Sequence, residues 1–469
     1  MPSSGYRLTI WGAAQTVTGS RHLLEGPKGA VLLECGLYQG RRRESYRRNR
    51  TFPFDPRRVQ AVLLSHAHLD HCGNLPNLVK QGFEGPIYAT PATAHLATLV
   101  MLDAAHVQEE NVRYLNRHRA PHEPPLEPLY TVEDALRASR MFVPVPYGQP
   151  FQPMPGVQAR FVEAGHLLGS AAVVLDLDTS PRPTRLWFSG DIGRRHLPIL
   201  RDPVLPHDVH WLLMECTYGH KPHRDPRYAV DELRQVARET FEREGKLVVP
   251  AFAIGRTQTI VYLLHTMMRQ GELPEVPIYV DSPMAVEASQ IYRAHPECYD
   301  EETLRLLRLG VLEDLLGFGR VHYIRDVEAS KALNDRPGPM VILSTSGMLE
   351  VGRILHHLIH TITDPRNTIL LVSWAAPHTL GRRLAEGAER VPILGKTYPV
   401  RARVVTIGDL SAHAGRNFLL EYGLASRDTL KGIGLVHGEP HAARALMQAL
   451  EARGWSHVTD FREGEGWDL

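Results

Sequence analysis

Short apolar runs separated by glycine and proline mark the first part of the chain. Runs at 6–11, 22–25 and 30–34 alternate with turns and predict three successive strands. The run at 61–65 predicts a buried strand, and 86–88 another. From residue 92 to about 115 the period changes. Apolar residues at Leu96, Leu99, Val100, Val107 and Val112 predict a helix. A proline-rich loop at 121–128 follows. Thr131 then caps a helix over 132–141, with Asp134 in its first turn.

Strands return at 157–163, 171–178, 185–189 and 209–215, the last ending in an acid. A second α/β run follows: helix 228–244, strand 247–250, helix 258–270, strand 278–280, helices through 316, and strands 340–344 and 368–373. The chain then reads strand 403–407, helix 416–422, strand 431–436 and helix 441–453. No internal repeat or low-complexity tract interrupts this order.

Composition narrows the class. A chain of 469 residues, 43% apolar, has room for two or three domains with sizeable cores. Its formal charge of +1 excludes a uniformly basic nucleic-acid binder, so any attraction for phosphate must be local. One such patch is the stretch 41–50, with six arginines, one acid and Tyr46. Read as a loop between strands, it suits phosphate contact and base stacking as well as it suits a solvated surface or a subunit contact. Cys35, Cys72, Cys216 and Cys298 show no paired metal spacing and read as buried thiols of a reduced compartment. No signal-peptide pattern opens the sequence, and no apolar run nears the ~18 residues that span a bilayer. The expectation is a cytoplasmic protein with no membrane partner.

The 25 histidines change the picture more than the charge does. Ser65-His66-Ala67-His68-Leu69-Asp70-His71 places three imidazoles and a carboxylate directly after a predicted strand. Neutral imidazole is the commonest metal ligand, and this crowding exceeds what one open catalytic site takes from one segment. Two metals account for it. Glu163-Ala164-Gly165-His166, Ser189-Gly190-Asp191 and Val436-His437-Gly438 each place a donor at a strand's carboxyl end. Ligand sites of open α/β sheets gather at such ends.

The run His66-Ala67-His68-Leu69-Asp70-His71 matches the HxHxDH signature of the metallo-β-lactamase superfamily. Glu215-Cys216-Thr217-Tyr218-Gly219, Ser411-Ala412-His413-Ala414-Gly415 and Val436-His437-Gly438-Glu439 resemble the added motifs of its β-CASP nuclease branch. So do the segments at 250–258, 281–285 and 346–349. The chain looks closest to the compact bacterial RNases related to the eukaryotic pre-mRNA 3′-end processing endonuclease. This resemblance implies an α/β metallo-β-lactamase αββα sandwich with an inserted α/β β-CASP domain. The sandwich would span 1–218 and 395–469, and the insertion 219–394.

The resemblance also implies two zinc ions per chain. His66, His68 and His166 would hold the first, Asp70, His71 and His437 the second, and Asp191 would bridge them. Glu34 stands where the superfamily usually has Asp, a position that orients the ligand loop. Catalytic roles fall to Asp70, Asp191, Glu215 and His413. A metal-bridging hydroxide would attack phosphorus, and His413, partnered by Glu215, would protonate the leaving oxygen. Arg256, Ser344, Ser346 and His413 would bind substrate, with Thr345 and the pair His356/His357 in the same motifs. His378 reads as structural or surface.

The expected activity is endonucleolytic cleavage of single-stranded RNA, with 5′→3′ exonuclease action as a further mode. Two other readings stand beside it: a hydrolase of small phosphodiesters using the same centre, and a catalytically weak RNA-binding subunit, which would not need the full donor set. Oligomeric state, a homodimer included, is left open.

Overall fold

The computed structural model describes residues 5–119, 124–317, 319–372 and 378–469. The expectations at 1–4, at 121–123 of the proline-rich loop and at 373–377 lie outside these residues, as does the side chain of Arg42. The chain forms two compact units. One gathers residues 1–194, 202–223 and 412–469, and the other 195–201 and 224–411.

Two seven-stranded sheets make the first unit. In spatial order, the first runs Gly466–Asp468, Arg7–Ile10, His22–Gly26, Gly29–Leu33, Val59–Leu63, Ile87–Ala89 and Phe142–Pro144. The second runs Val458–Asp460, Gly432–Val436, Trp211–Glu215, Thr184–Phe188, Ala171–Leu177, Val157–Glu163 and Phe151–Met154. Strand alternation sends every second side chain inward. Leu8, Ile10, Leu24, Val31, Leu33 and Leu63 of the first sheet thus meet Phe161, Val173, Leu175, Leu186, Phe188 and Leu213 of the second.

The other face of the second sheet is also apolar. Val174, Trp187, Leu212, Met214, Ile433 and Leu435 pack on Leu419 and Tyr422 of the helix Arg416–Leu424 and on Leu446 and Leu450 of the helix Pro440–Glu451. The Trp187 indole N–H donates to the Tyr422 hydroxyl at 2.7 Å, which satisfies a buried polar group inside this layer. Beside the first sheet, the helices Leu75–Lys80, Pro91–Arg117 and Val132–Ser139 pack together. The last begins with a capping box in which Thr131 and Asp134 satisfy each other's backbone N–H groups.

The second unit is built on a six-stranded parallel sheet. Its order is His322–Ile324, Ile278–Asp281, Met340–Ser344, Lys246–Pro250, Thr368–Leu371 and Arg403–Thr406. The strand Arg403–Thr406 carries this unit on to residue 411, whereas the sequence places the return to the sandwich at 395.

The arginine-rich stretch is a helix, Arg42–Arg50, rather than a loop. Arginine is a good helix former, and Glu44 pairs with Arg48 one turn on. Having little apolar periodicity, the stretch gave no helical signal. Helix Arg353–Thr361 and the short strands Phe142–Pro144, Phe151–Met154, His322–Ile324, Val458–Asp460 and Gly466–Asp468 also escaped the pattern. The helical run expected to reach 316 ends at Arg308, and the expected strands and helices elsewhere sit within a few residues of their predicted ends.

Candidate metal centre

The loop after strand Val59–Leu63 carries His66 and then His68, the latter in extended backbone, and turns into the short helix Leu69–Cys72 with Asp70 and His71 in it. Gly36 lets the neighbouring chain pass here. A Cβ on it would stand 1.6 Å from the Asp70 carbonyl oxygen, so no larger residue fits. His166 follows strand Val157–Glu163, Asp191 follows Thr184–Phe188, and His437 follows Gly432–Val436.

These side chains converge as two groups. In the first, His68 Nδ1 lies 3.0 Å from His66 Nε2 and 3.2 Å from His166 Nε2. Asp191 Oδ2 lies 3.4 Å from His66 Nε2 and 3.5 Å from His166 Nε2. In the second, His437 Nε2 lies 3.2 Å from His71 Nε2 and 3.3 Å from Asp70 Oδ2. Asp191 Oδ1 lies 3.4 Å from His71 Nε2. One carboxylate thus offers one oxygen to each group.

Donors bonded at about 2.0–2.1 Å to a tetrahedral zinc stand about 3.3–3.4 Å from one another. The separations above match that spacing. They are poorly explained as hydrogen bonds, because buried Asp191 Oδ1 has no hydrogen-bond partner. The electrostatics agree with a cation site. Burial pushes His71 and His166 well below the ordinary imidazole range, so their lone pairs stay free. Desolvation, with His66 adding to it, lowers His68 to about 4. Burial alone would raise Asp191, but His437, His71 and His66 outweigh it and hold the carboxyl ionised. Burial likewise acts to lower His437, and Asp191 and Asp70 override it to give a value of about 10. A cation binding at His437 displaces that proton.

Glu34 fixes the ligand loop from below. The His71 Nδ1–H donates to Glu34 Oε2 at 2.8 Å, and the Ser65 backbone N–H donates to Oε1 at 2.6 Å. His71 is thereby set to present Nε2 to the centre. Ser65 Oγ plays the same part for His66 at 2.9 Å, and Thr217 Oγ1 for His437 at 3.1 Å. Sequence reasoning missed Ser65 and Thr217 in these roles. Their one signal is position, directly before the histidine run and two residues after Glu215. Cys72 is not among the donors: its thiol points at the Ala67 carbonyl, and all four cysteines are buried.

His413 and Glu215 join the same place. His413 Nδ1 lies 3.0 Å from Glu215 Oε1, and its Nε2 lies 3.9 Å from Asp191 Oδ2. Buried Glu215 also accepts backbone N–H groups from Ile192 at 2.8 Å and Thr217 at 3.1 Å. Desolvation disfavours a charged His413, but Glu215 and Asp191 overcome it and raise its pKa. About a fifth of the His413 side chain remains open to solvent while Glu215 is closed. The imidazole can therefore exchange a proton that the carboxylate cannot reach.

Arg256, Ser344 and Ser346 lie in the second unit. They gather near the carboxyl ends of strands Lys246–Pro250 and Met340–Ser344, which pair Pro250 with Ser344. The Ser344 hydroxyl is committed to the Asp281 carbonyl at 2.8 Å. Ser346 Oγ accepts the backbone N–H of Glu350 at 3.1 Å. His357 is buried and bonded to Asp281 and Asn334, whereas His356 and His378 are exposed. On the arginine-rich helix, Arg48 pairs with Glu44 and Glu463, and Arg50 lies 4.0 Å over the Tyr46 ring. That stacking covers one face of Tyr46.

A model described as Metallo-beta-lactamase superfamily matches residues 18–251. One described as Beta-Casp domain matches 257–384, and one described as Zn-dependent metallo-hydrolase RNA specificity domain matches 397–459. A ribonuclease of Thermus thermophilus is 40% identical over 98% of this chain and 99% of its own length. The transcription termination factor FttA of Methanosarcina mazei is 30% identical over 95% of this chain and 68% of its own length. A crystal structure of a protein of unknown function from Enterococcus faecalis shares the fold, with a TM-score of 0.55 at 14% identity over 99% of this chain and 100% of its own.

Proposed function

The chain belongs to the metallo-β-lactamase superfamily, in the branch that carries a Beta-Casp domain, and on that premise we propose that it is a two-zinc ribonuclease acting on single-stranded RNA. The observation that carries this reading is one carboxylate, Asp191, shared between two donor groups beside the Glu215–His413 pair. His66, His68 and His166 would hold one ion, Asp70, His71 and His437 the other, and Asp191 both. Zinc bound there would neutralise phosphate charge and make water nucleophilic near neutral pH.

The chain's own residues do the rest. Asp191 sets the spacing of the two sites. Glu34, Ser65 and Thr217 hold three imidazoles in one tautomer. Glu215 keeps His413 oriented and protonated, so that Nε2 can deliver a proton to the leaving oxygen of the cleaved bond. Endonucleolytic action is the primary mode in this reading, with 5′→3′ exonuclease action as the second.

The test uses metal-quantified protein on single-stranded RNA labelled at either end. Internal fragments are expected from the wild type, mononucleotides from the 5′ end marking the second mode. Asp191→Ala should lose bound metal and activity together. His413→Ala should keep its metal and lose ~10²–10⁴ in rate. Full activity in Asp191→Ala would sink the assignment, and metal loss in His413→Ala would move His413 among the ligands. Rapid turnover of small phosphodiesters without RNA cleavage would replace RNA as the substrate.

A further inference from the structure

A second group of side chains in the first unit gathers positive charge without acid partners. The His220 and His441 rings lie 4.5 Å apart, and both residues are exposed. Exposed Lys221 follows His220, and the Arg416 backbone N–H donates to the Lys221 carbonyl at 2.9 Å. Among the described residues no ion pair engages His220, Lys221, Arg416 or His441.

Three segments are pressed together to make this group. The turn after strand Trp211–Glu215 lies on the first turn of helix Pro440–Glu451, because Gly219 has no side chain. A Cβ there would stand 2.5 Å from the Ala442 carbonyl oxygen. Tyr218 pairs with Gly415 in a short parallel bridge, which brings Arg416 alongside. Each segment is contiguous with a residue of the centre: Glu215, His413 or His437.

The cluster also has an address relative to the chemistry. The Tyr218 ring lies 6.1 Å from the His413 ring and 6.2 Å from the His220 ring. Tyr218 thus stands within about one ring contact of both His413 and the cationic group, close enough for neighbouring phosphates of one strand to reach both. Desolvation, then His441, Lys221 and Arg416, all disfavour a further charge on His220. Lys221 and Arg416 therefore carry the charge of the group, and an anion seated beside them would favour a proton on His220.

We propose that His220, Lys221, Arg416 and His441 form a subsite for a backbone phosphate of the RNA strand, beyond the phosphate being cut. The inference rests on the ribonuclease reading above. Lysine supplies a point charge, arginine a planar fork of donors, and the imidazoles N–H groups. No group here is placed to read a base, so the subsite grips any sequence. It favours strands long enough to reach it over dinucleotides.

The experiment measures binding by metal-loaded full-length protein to fluorescent 2′-O-methyl oligoribonucleotides, which resist cleavage, of two and ten nucleotides. In the double variant His220→Gln, Lys221→Gln, affinity for the ten-mer should fall about tenfold at low salt, and the slope of log K against log salt should flatten by about 0.7, the value for one phosphate on a single strand. Lys221→Arg alone should keep wild-type binding. An unchanged slope and affinity in the double variant would overturn the subsite. So would an equal loss on the dinucleotide, which would place the effect in the centre itself. The ribonuclease reading fails separately, if the wild type binds the ten-mer but leaves unmodified RNA of the same sequence intact.

Discussion

A single buried glutamate holds the ligand loop through both of its oxygens. Glu34 accepts from the His71 ring and from the Ser65 backbone, with its own backbone at a φ of +66°. Aspartate is one methylene shorter and reaches from a different backbone position, so the longer side chain fits the geometry seen here. Removing such a partner of a ligating histidine typically costs 10–100-fold in metal affinity. Glu34→Ala is expected to weaken zinc binding by about that factor, read by competition with a chromophoric chelator. An unchanged affinity would mean that packing alone orients His71. At this scale the sequence was legible where donors are contiguous. His66, His68, Asp70 and His71 announce themselves, and the strand-end glycines point to His166, Asp191 and His437. Ser65 and Thr217 did not, because serine and threonine are common in turns and only the fold shows which imidazole each one faces.

The parallel sheet of the second unit carries a buried polar network at the end of strand Ile278–Asp281. Asp281 accepts from His357 at 2.7 Å, from Arg353 at 2.6 Å and from Ser330 at 2.5 Å. It ties helix Arg353–Thr361 and helix Val327–Asp335 to the strand. Burial alone would raise the Asp281 pKa, but the bonds from His357, Ser330 and Arg353 outweigh it and hold the carboxyl below the usual carboxylate range. A carboxyl depressed in the folded state contributes stability that is present above the unfolded pKa and fades as pH falls below it. Asp281→Asn should therefore be less stable than the wild type at pH 7, with the gap closing below about pH 4. Urea denaturation of chelator-treated protein at the two pH values measures this, and a gap independent of pH would remove the charge from the account. Elements were legible where period and length cooperate, as in helix Pro91–Arg117. Helix Arg42–Arg50 was not, since its stabilising contacts are charge pairs and stacking rather than an apolar stripe. Strands Phe142–Pro144, His322–Ile324, Val458–Asp460 and Gly466–Asp468 were too short to show a period of two.

For the molecule as a whole, the near-zero net charge means that attraction for RNA comes from placed groups, not from bulk field. The metal donors all belong to the first unit. Stripping divalent metal with a chelator should stop cleavage and lower the melting temperature of that unit. A ligand present at a thousand times its Kd contributes about 4 kcal/mol. Calorimetry with and without chelator should show one transition moving and the other unmoved, and zinc should restore both activity and the shifted transition. Equal movement of both transitions would contradict the separation of the two units. Among the described residues no helix is long and apolar enough to cross a membrane.

The order of the donors along the chain has a consequence for synthesis. His437 completes a centre whose partner His71 lies 366 residues earlier, and it sits on a strand that pairs between Trp211–Glu215 and Val458–Asp460. A ribosome must therefore make the whole of 224–411 before the last residue of the cluster can emerge and slot into place. Until then the growing polypeptide holds half a pair of sites and no His413. A protein that cuts RNA while still tethered to its own message would destroy its template. This threading delays the gathering of the cluster until the inserted unit has been made.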